Sequence, residues 1–246
     1  MELKIFNPSF NSGEVLTAEK LNDLRDATNE FLKVKYGEFG TGILFGFDFT
    51  KSGKKIYLSE GLLKLNNKFL YLTQKYEILL KNNSDYYVFI EEIDNRYQIK
   101  VSKTLTKNNR YLFAHIEYTG GDIILLPNSF LAIDKTLTNY FNILETYYSI
   151  KGGSTLPKPI LNLFAKEYLE KYSEINEDYI FAINCITDNI TKGYIDLYLK
   201  MKGLPEKEFN NNTEIYKILK TVLSNSYSRI NKPVVNTKKN KQTEYV

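Results

Sequence analysis

The clearest helical pattern in the chain lies near its start. A face with alternating spacings of three and four residues consists of Leu21, Leu24, Thr28, Phe31 and Lys35. Thr17 precedes it, and a threonine hydroxyl can cap the free amides of a first helical turn. The pattern predicts a helix that begins at Thr17 and ends before Gly37. Such a face is typical of a short coiled coil or of a helix that lies on a sheet.

Short apolar runs separated by Gly, Asn and Asp follow up to about residue 130. The runs span 43–50, 55–58, 62–65, 68–72, 76–80, 86–93, 97–103, 112–118 and 122–126. The last two are predicted to pair across Gly120 and Gly121. Regularly spaced strands of this kind predict an antiparallel β sandwich or small barrel.

After Pro127 the apolar spacing becomes helical. It predicts helices over 140–148, 157–172, 179–188, 190–202 and 213–226, with a flexible link at 151–154. The predicted fold class is therefore α+β, an N-terminal helix plus an antiparallel sandwich or small barrel, followed by an α-helical C-terminal domain. The predicted division is an arm, helix and β-rich domain at 1–130, a helical docking domain at 131–228 and a flexible C-terminal arm at 229–246.

Composition and charge narrow the possible partners. The 246 residues are 43% hydrophobic and 25% charged, which is typical of a globular protein with a sizeable core. The net charge of +4 comes from mixed acidic and basic residues, so we expect no nucleic-acid partner. The start of the chain does not resemble a signal peptide, and no run approaches about 18 apolar residues. We expect synthesis in the bacterial cytoplasm without a signal peptide, and no membrane insertion.

Residue types that carry catalysis are sparse. His115 is the only histidine and Cys185 the only cysteine, and the two are predicted to lie in different halves of the chain. The glycines of 40–46 have neither the spacing of a dinucleotide fingerprint nor the Gly-Lys-Ser/Thr of a P-loop. They are expected to permit close backbone packing or a positive φ. We therefore predict no catalytic residues, no cofactor and no metal site, and a protein that is not an enzyme.

Three sequence segments resemble a known group of proteins. They are SGEVLTAEKLN at 12–22, GTGILFGFDF at 40–49 and LSEGL at 58–62. Residues 12–72 are similar to the N-terminal region of baseplate-peripheral and tail-fibre-attachment proteins of contractile phages and phage-tail-like bacteriocin particles. The resemblance implies a structural role in such a particle, often as a trimer, with other baseplate or tail-fibre proteins as partners. Residues 137–246 depart from the pattern, because a fibre would continue as a repetitive β shaft; this favours an adaptor.

Two groups of residues are predicted to bind partners. The first is the helix face Leu21, Leu24, Thr28 and Phe31, for self-association. The second is the C-terminal arm, with Val234, Val235, Lys238, Lys239 and Tyr245. An alternative function is a carbohydrate-binding module that recognises the host cell surface. It is suggested by Tyr71, Tyr76, Tyr86, Tyr87 and Tyr97, since tyrosine combines an apolar ring with a polar tip. A hydrolase with paired carboxylates is a third hypothesis.

Overall fold

The computed structural model describes residues 13, 17–53, 55–81, 83–133, 138–172, 175–187, 190–204 and 211–230. In these ranges the protein is a mixture of α-helices and mainly antiparallel sheets. The helices are α1 Ala18–Tyr36, α2 Lys158–Leu169, α3 Glu177–Thr187, α4 Lys192–Met201 and α5 Asn212–Ile230, with a 3-10 turn at Phe130–Ala132. The strands are β1 Gly42–Gly46, β2 Phe49–Ser52, β3 Lys55–Leu58, β4 Gly61–Leu65, β5 Lys68–Leu72, β6 Tyr76–Ile78, β7 Ser84–Ile93, β8 Arg96–Ser102, β9 Asn109–Tyr118, β10 Tyr148–Ile150 and β11 Gly153–Thr155.

The strands form three sheets. The first has the order β11-β10-β1-β4-β5, the second β2-β3-β6 and the third β8-β7-β9. Pairing within them is antiparallel except between β1 and β10, where Ile43 lies opposite Tyr148 in a parallel pair. Among the described strands, β5, β6 and β8 each lie at an edge of their sheet.

The predicted helix over 140–148 is wrong. His115 exchanges two backbone hydrogen bonds with Asn142, and the Ile43 N–H donates to the Tyr147 carbonyl at 2.9 Å. The segment thus pairs with β9 at Asn142, turns at Leu144 and Glu145, and continues beside β1 into β10. Residues 151–154, predicted as a flexible link, form the turn and start of the β10–β11 hairpin. Backbone pairing with two neighbouring strands outweighs the weak helical spacing of the aromatic side chains.

The predicted pairing of 112–118 with 122–126 is also wrong. Strand β9 pairs along its length with β7. The backbone of Ile124 bonds instead to Asn139 and Phe141. The two glycines do turn the chain, with φ of 86° at Gly120 and 94° at Gly121, but the ten-residue β7 offers β9 a longer partner.

Sheets and helices share one buried apolar cluster. It includes Phe113 and Phe141 from the sheet side and Phe164, Phe181 and Tyr216 from the helices. Helices α2 to α5 occupy the segments whose apolar spacing predicted helices, with ends shifted by a few residues. Strands β10 and β11, however, belong to the segment 131–228, so that segment is not wholly helical. The division of the chain at residue 130 stays a prediction.

The buried side chain of Asp178 links helices α3 and α4. The Asp178 carboxylate accepts from the Tyr198 hydroxyl at 2.7 Å and lies 2.6 Å from the Lys202 ammonium. Near their other ends, the Asn184 amide donates to the Tyr194 hydroxyl. The two helices therefore run antiparallel.

Across the described ranges, no helix combines the length and apolarity needed to cross a bilayer.

The Glu167 carboxylate on α2 accepts hydrogen bonds from the start of the 3-10 turn. Its ionisation is expected to make the stability of the fold depend on pH. Burial opposes its ionisation, but hydrogen bonds from Lys171, Ser129 and the Phe130 N–H outweigh burial and lower its pKa. A lowered pKa stabilises the fold above the ordinary value of 4.5, and this stability is lost as the pH falls through the folded pKa. We expect the wild type to have a higher free energy of unfolding than Glu167→Gln at pH 7. This difference should disappear at acidic pH. Urea unfolding across pH measures this; a difference that does not change with pH would contradict it.

Candidate functional site

Helix α1 is held at its C-terminal end by a single lysine of the first sheet. Lys64 on β4 is almost fully buried, and its Nζ donates to the carbonyl oxygens of Tyr36, Gly37 and Phe39 at 3.0, 2.8 and 2.7 Å. The last carbonyls of a helix lack partners within the helix and carry partial negative charge. The Lys64 ammonium supplies both hydrogen-bond donors and a positive charge at this end of the helix. The Tyr36 ring packs edge-on against Phe39, with centroids 5.3 Å apart.

The rest of α1 is open to solvent. It begins as predicted, with the Thr17 hydroxyl accepting from the Lys20 N–H at 3.3 Å. None of the α1 side chains that the structure describes is buried. On the predicted face, Leu21 is 52% and Phe31 60% exposed, and Val34 beside it is 86% exposed. Thr28 is exposed as well, and the Leu24 side chain lies outside the described part of the chain.

A groove separates α1 from the outer face of the first sheet. Its volume is about 530 Å³, and residues of the predicted face, Thr28 and Phe31, line its helical side. The sheet side includes Phe45 and Tyr71, which are 57% and 72% exposed. We call the exposed face of α1 together with this groove the α1 surface. Large apolar side chains concentrated on one exposed surface of a folded protein mark a contact site.

The glycines before and within β1 position this surface. A Cβ on Gly40 would lie 2.2 Å from the Gly153 carbonyl oxygen, and one on Gly46 would lie 2.0 Å from that of Glu60. Gly46 also has a φ of 69°. The expected role of the glycines, close packing and positive φ, is therefore confirmed. They let β1 lie between β4 and β10 next to the end of α1.

The two residues singled out for chemistry differ in exposure, since the His115 side chain is 37% exposed, with its Nε2 3.7 Å from the Asp85 carboxylate, and Cys185 is buried. The His115 ring stacks on Tyr87, with centroids 4.6 Å apart. Cys185 is buried in α3, and burial raises the pKa of its thiol. Within the described ranges, no group of three or more His, Cys, Asp or Glu side chains is placed to hold a metal ion.

The remaining predicted binding residues divide into three sets. Three of the five tyrosines, Tyr71, Tyr76 and Tyr97, line one cleft. The other two do not line it, since Tyr86 is buried in the core and Tyr87 stacks on His115. The C-terminal arm residues Val234, Val235, Lys238, Lys239 and Tyr245 lie outside the described residues.

The structure also exposes apolar side chains on α3 and α4 that the sequence reasoning missed. They are Ile175, Ile180, Ile183 and Ile186 at α3, and Leu197 and Met201 on α4, all more than 40% exposed. We call this set of side chains the α3–α4 face. The signal for it was present, because α3 carries isoleucines between its buried positions and is apolar on more than one side. A surface helix is expected to be apolar on one side only.

Comparison of the chain with protein-family models, with curated proteins and with solved structures finds no match.

Proposed function

We propose that this chain is a structural assembly protein of a phage tail or tail-like particle. In this role it is a baseplate component or an adaptor that attaches a receptor-binding fibre. The observation that carries the proposal is the α1 surface, an exposed apolar stripe on a helix whose C-terminal end is hydrogen-bonded to Lys64 of the first sheet. The resemblance of residues 12–72 to tail-fibre-attachment proteins supplies the kind of particle.

The α1 surface supports self-association. Leu21 and Phe31 lie on one helix face, and burial of such a side chain stabilises an association by about 1.5–3 kcal/mol. Ala27 and Val34 widen the apolar face, and the groove offers further apolar surface to a helix from a neighbouring copy. A trimer is favoured, because the resemblance implies three copies.

The α3–α4 face supports the adaptor role. An adaptor must hold a second protein while its own copies are joined, so it needs two contact surfaces on separate elements. In this proposal the N-terminal helix and the sandwich-like β part form the oligomer, and the helical C-terminal part docks a baseplate or fibre protein through Ile180, Ile183 and Leu197. Burial of Cys185, which raises the pKa of its thiol, favours such a role over an enzyme with a cysteine nucleophile.

The proposal predicts that the chain travels with assembled particles. Large particles from an induced source strain would be sedimented and analysed by mass spectrometry for this chain together with sheath and tube proteins. We expect it in the particle fraction at a fixed low copy number. Particles that carry sheath and tube but lack this chain, while the chain stays in the supernatant, would contradict the proposal.

A further inference from the structure

Free edges of all three sheets meet at one cleft. Its walls come from β5, β6 and β8, which are edge strands of the first, second and third sheets. Its volume is about 160 Å³, and Phe47 and Ile90, both buried, form its apolar floor. Tyr71, Tyr76 and Tyr97 line it, one from each edge strand; Tyr71 also lines the α1 groove, and the Gln98 amide donates to the Glu91 carboxylate at 3.4 Å. We call this the tyrosine cleft.

Tyr97 is held in place by charged neighbours. Its hydroxyl oxygen accepts from the Lys68 Nζ at 2.9 Å, and the same ammonium lies 4.9 Å from the centre of the Tyr97 ring. Lys68 lies 3.8 Å from Glu92, whose carboxylate accepts from Arg110 at 2.8 Å. The chain of contacts from Arg110 to Tyr97 orients the ring before any ligand arrives. A pre-oriented aromatic side chain binds at a lower entropic cost than a mobile one.

We infer that the tyrosine cleft binds a saccharide. A sugar ring has an apolar C–H face and a rim of hydroxyls that both donate and accept hydrogen bonds. The cleft offers the matching groups, with aromatic rings and an apolar floor for the face. Tyrosine hydroxyls are suited to the rim. The inference rests on β5, β6 and β8; Tyr71 is shared with the α1 surface, whereas Tyr76 and Tyr97 line the cleft and not the α1 groove.

The shape of the cleft favours a sugar over an extended peptide. Free edge strands can accept a peptide as an added strand, which needs several residues at about 3.3 Å each along one edge. Here the residues come from three different edges around one small space. A compact ring fits this arrangement better than a strand, and added-strand binding is one of the outcomes that the test distinguishes.

Binding would be tested with the full chain against a panel of short oligosaccharides, neutral and N-acetylated, followed by isothermal titration of those that bind. We expect Tyr97→Ala and Tyr76→Ala each to weaken binding by about tenfold or more. The matched control Tyr87→Ala, which removes a tyrosine from the third sheet outside the cleft, should bind as wild type. Circular dichroism would establish that each variant is folded.

Three outcomes would overturn the inference. They are failure of folded wild type to bind any saccharide of the panel, saccharide binding that Tyr97→Ala and Tyr76→Ala leave unchanged, and capture of an extended peptide at the cleft in place of sugars. Tyr97→Phe adds a finer readout, because it keeps the ring and removes the hydroxyl that Lys68 holds. We expect it to bind more weakly than wild type and more strongly than Tyr97→Ala.

Discussion

Replacing Lys64 with methionine is expected to lower the free energy of unfolding by about 2–4 kcal/mol. The lysine is almost fully buried and donates three hydrogen bonds to the carbonyls at the end of α1. Hydrogen bonds to charged groups contribute about 1.5–3 kcal/mol each, and water recovers part of the loss where the carbonyls become accessible. Methionine keeps most of the side-chain volume, so the change reports mainly the lost ammonium.

Chemical denaturation of Lys64→Met beside wild type measures this effect. Lys55→Met is the matched control, since Lys55 is exposed and pairs only at the surface with Glu77. Exposed pairs contribute about 0–1 kcal/mol, so the control should differ little from wild type. Equal unfolding curves for Lys64→Met and Lys55→Met would show that α1 does not depend on Lys64. That result would remove the rigid attachment on which the assembly role rests.

If copies associate through α1 as proposed, Phe31→Asp is expected to convert the oligomer into monomers without unfolding the chain. Phe31 is 60% exposed in the single chain, so an aspartate there leaves the core intact. In an oligomer joined through α1, the same position is buried and the substitution occurs once in every copy. Each copy then loses about 1.5–3 kcal/mol of apolar burial and brings an uncompensated charge into the contact.

The mass of Phe31→Asp in solution, by light scattering or ultracentrifugation, measures the effect. Leu79→Asp is the matched control, because Leu79 is also an exposed apolar residue but lies outside the α1 surface. We expect the control to keep the wild-type mass and both variants to keep the wild-type circular dichroism spectrum. A Phe31→Asp protein with the wild-type mass would exclude α1 as the contact.

The sequence predicted the parts of the fold that depend on local pattern. The cap at Thr17, the spacing from Leu21 to Phe31 and the apolar spacing of α2 all act over a few residues. The role of the glycines at 40–46 could also be predicted, because few other residues tolerate their backbone geometry. Lys64 could not be found in this way. Nothing near it in the chain shows that its ammonium reaches carbonyls 25 to 28 residues earlier.

The parts that the sequence did not predict depend on distant partners. The segment 140–148 has helical spacing. Its backbone nevertheless bonds to β1 and β9, which are distant in the sequence. The tyrosine cleft likewise needs three separate sheets to bring Tyr71, Tyr76 and Tyr97 together. Sequence reasoning selected these tyrosines by residue type alone, and therefore included Tyr86, which is buried.

The most direct test of the assembly role is the mass of the purified full chain by sedimentation equilibrium over a range of concentrations. Self-association through α1 predicts a species of three times the chain mass of 28.7 kDa, which dissociates on dilution or on Phe31→Asp substitution. A single species of 28.7 kDa at every concentration would contradict it. The exposed apolar face of α1 would then need a different partner.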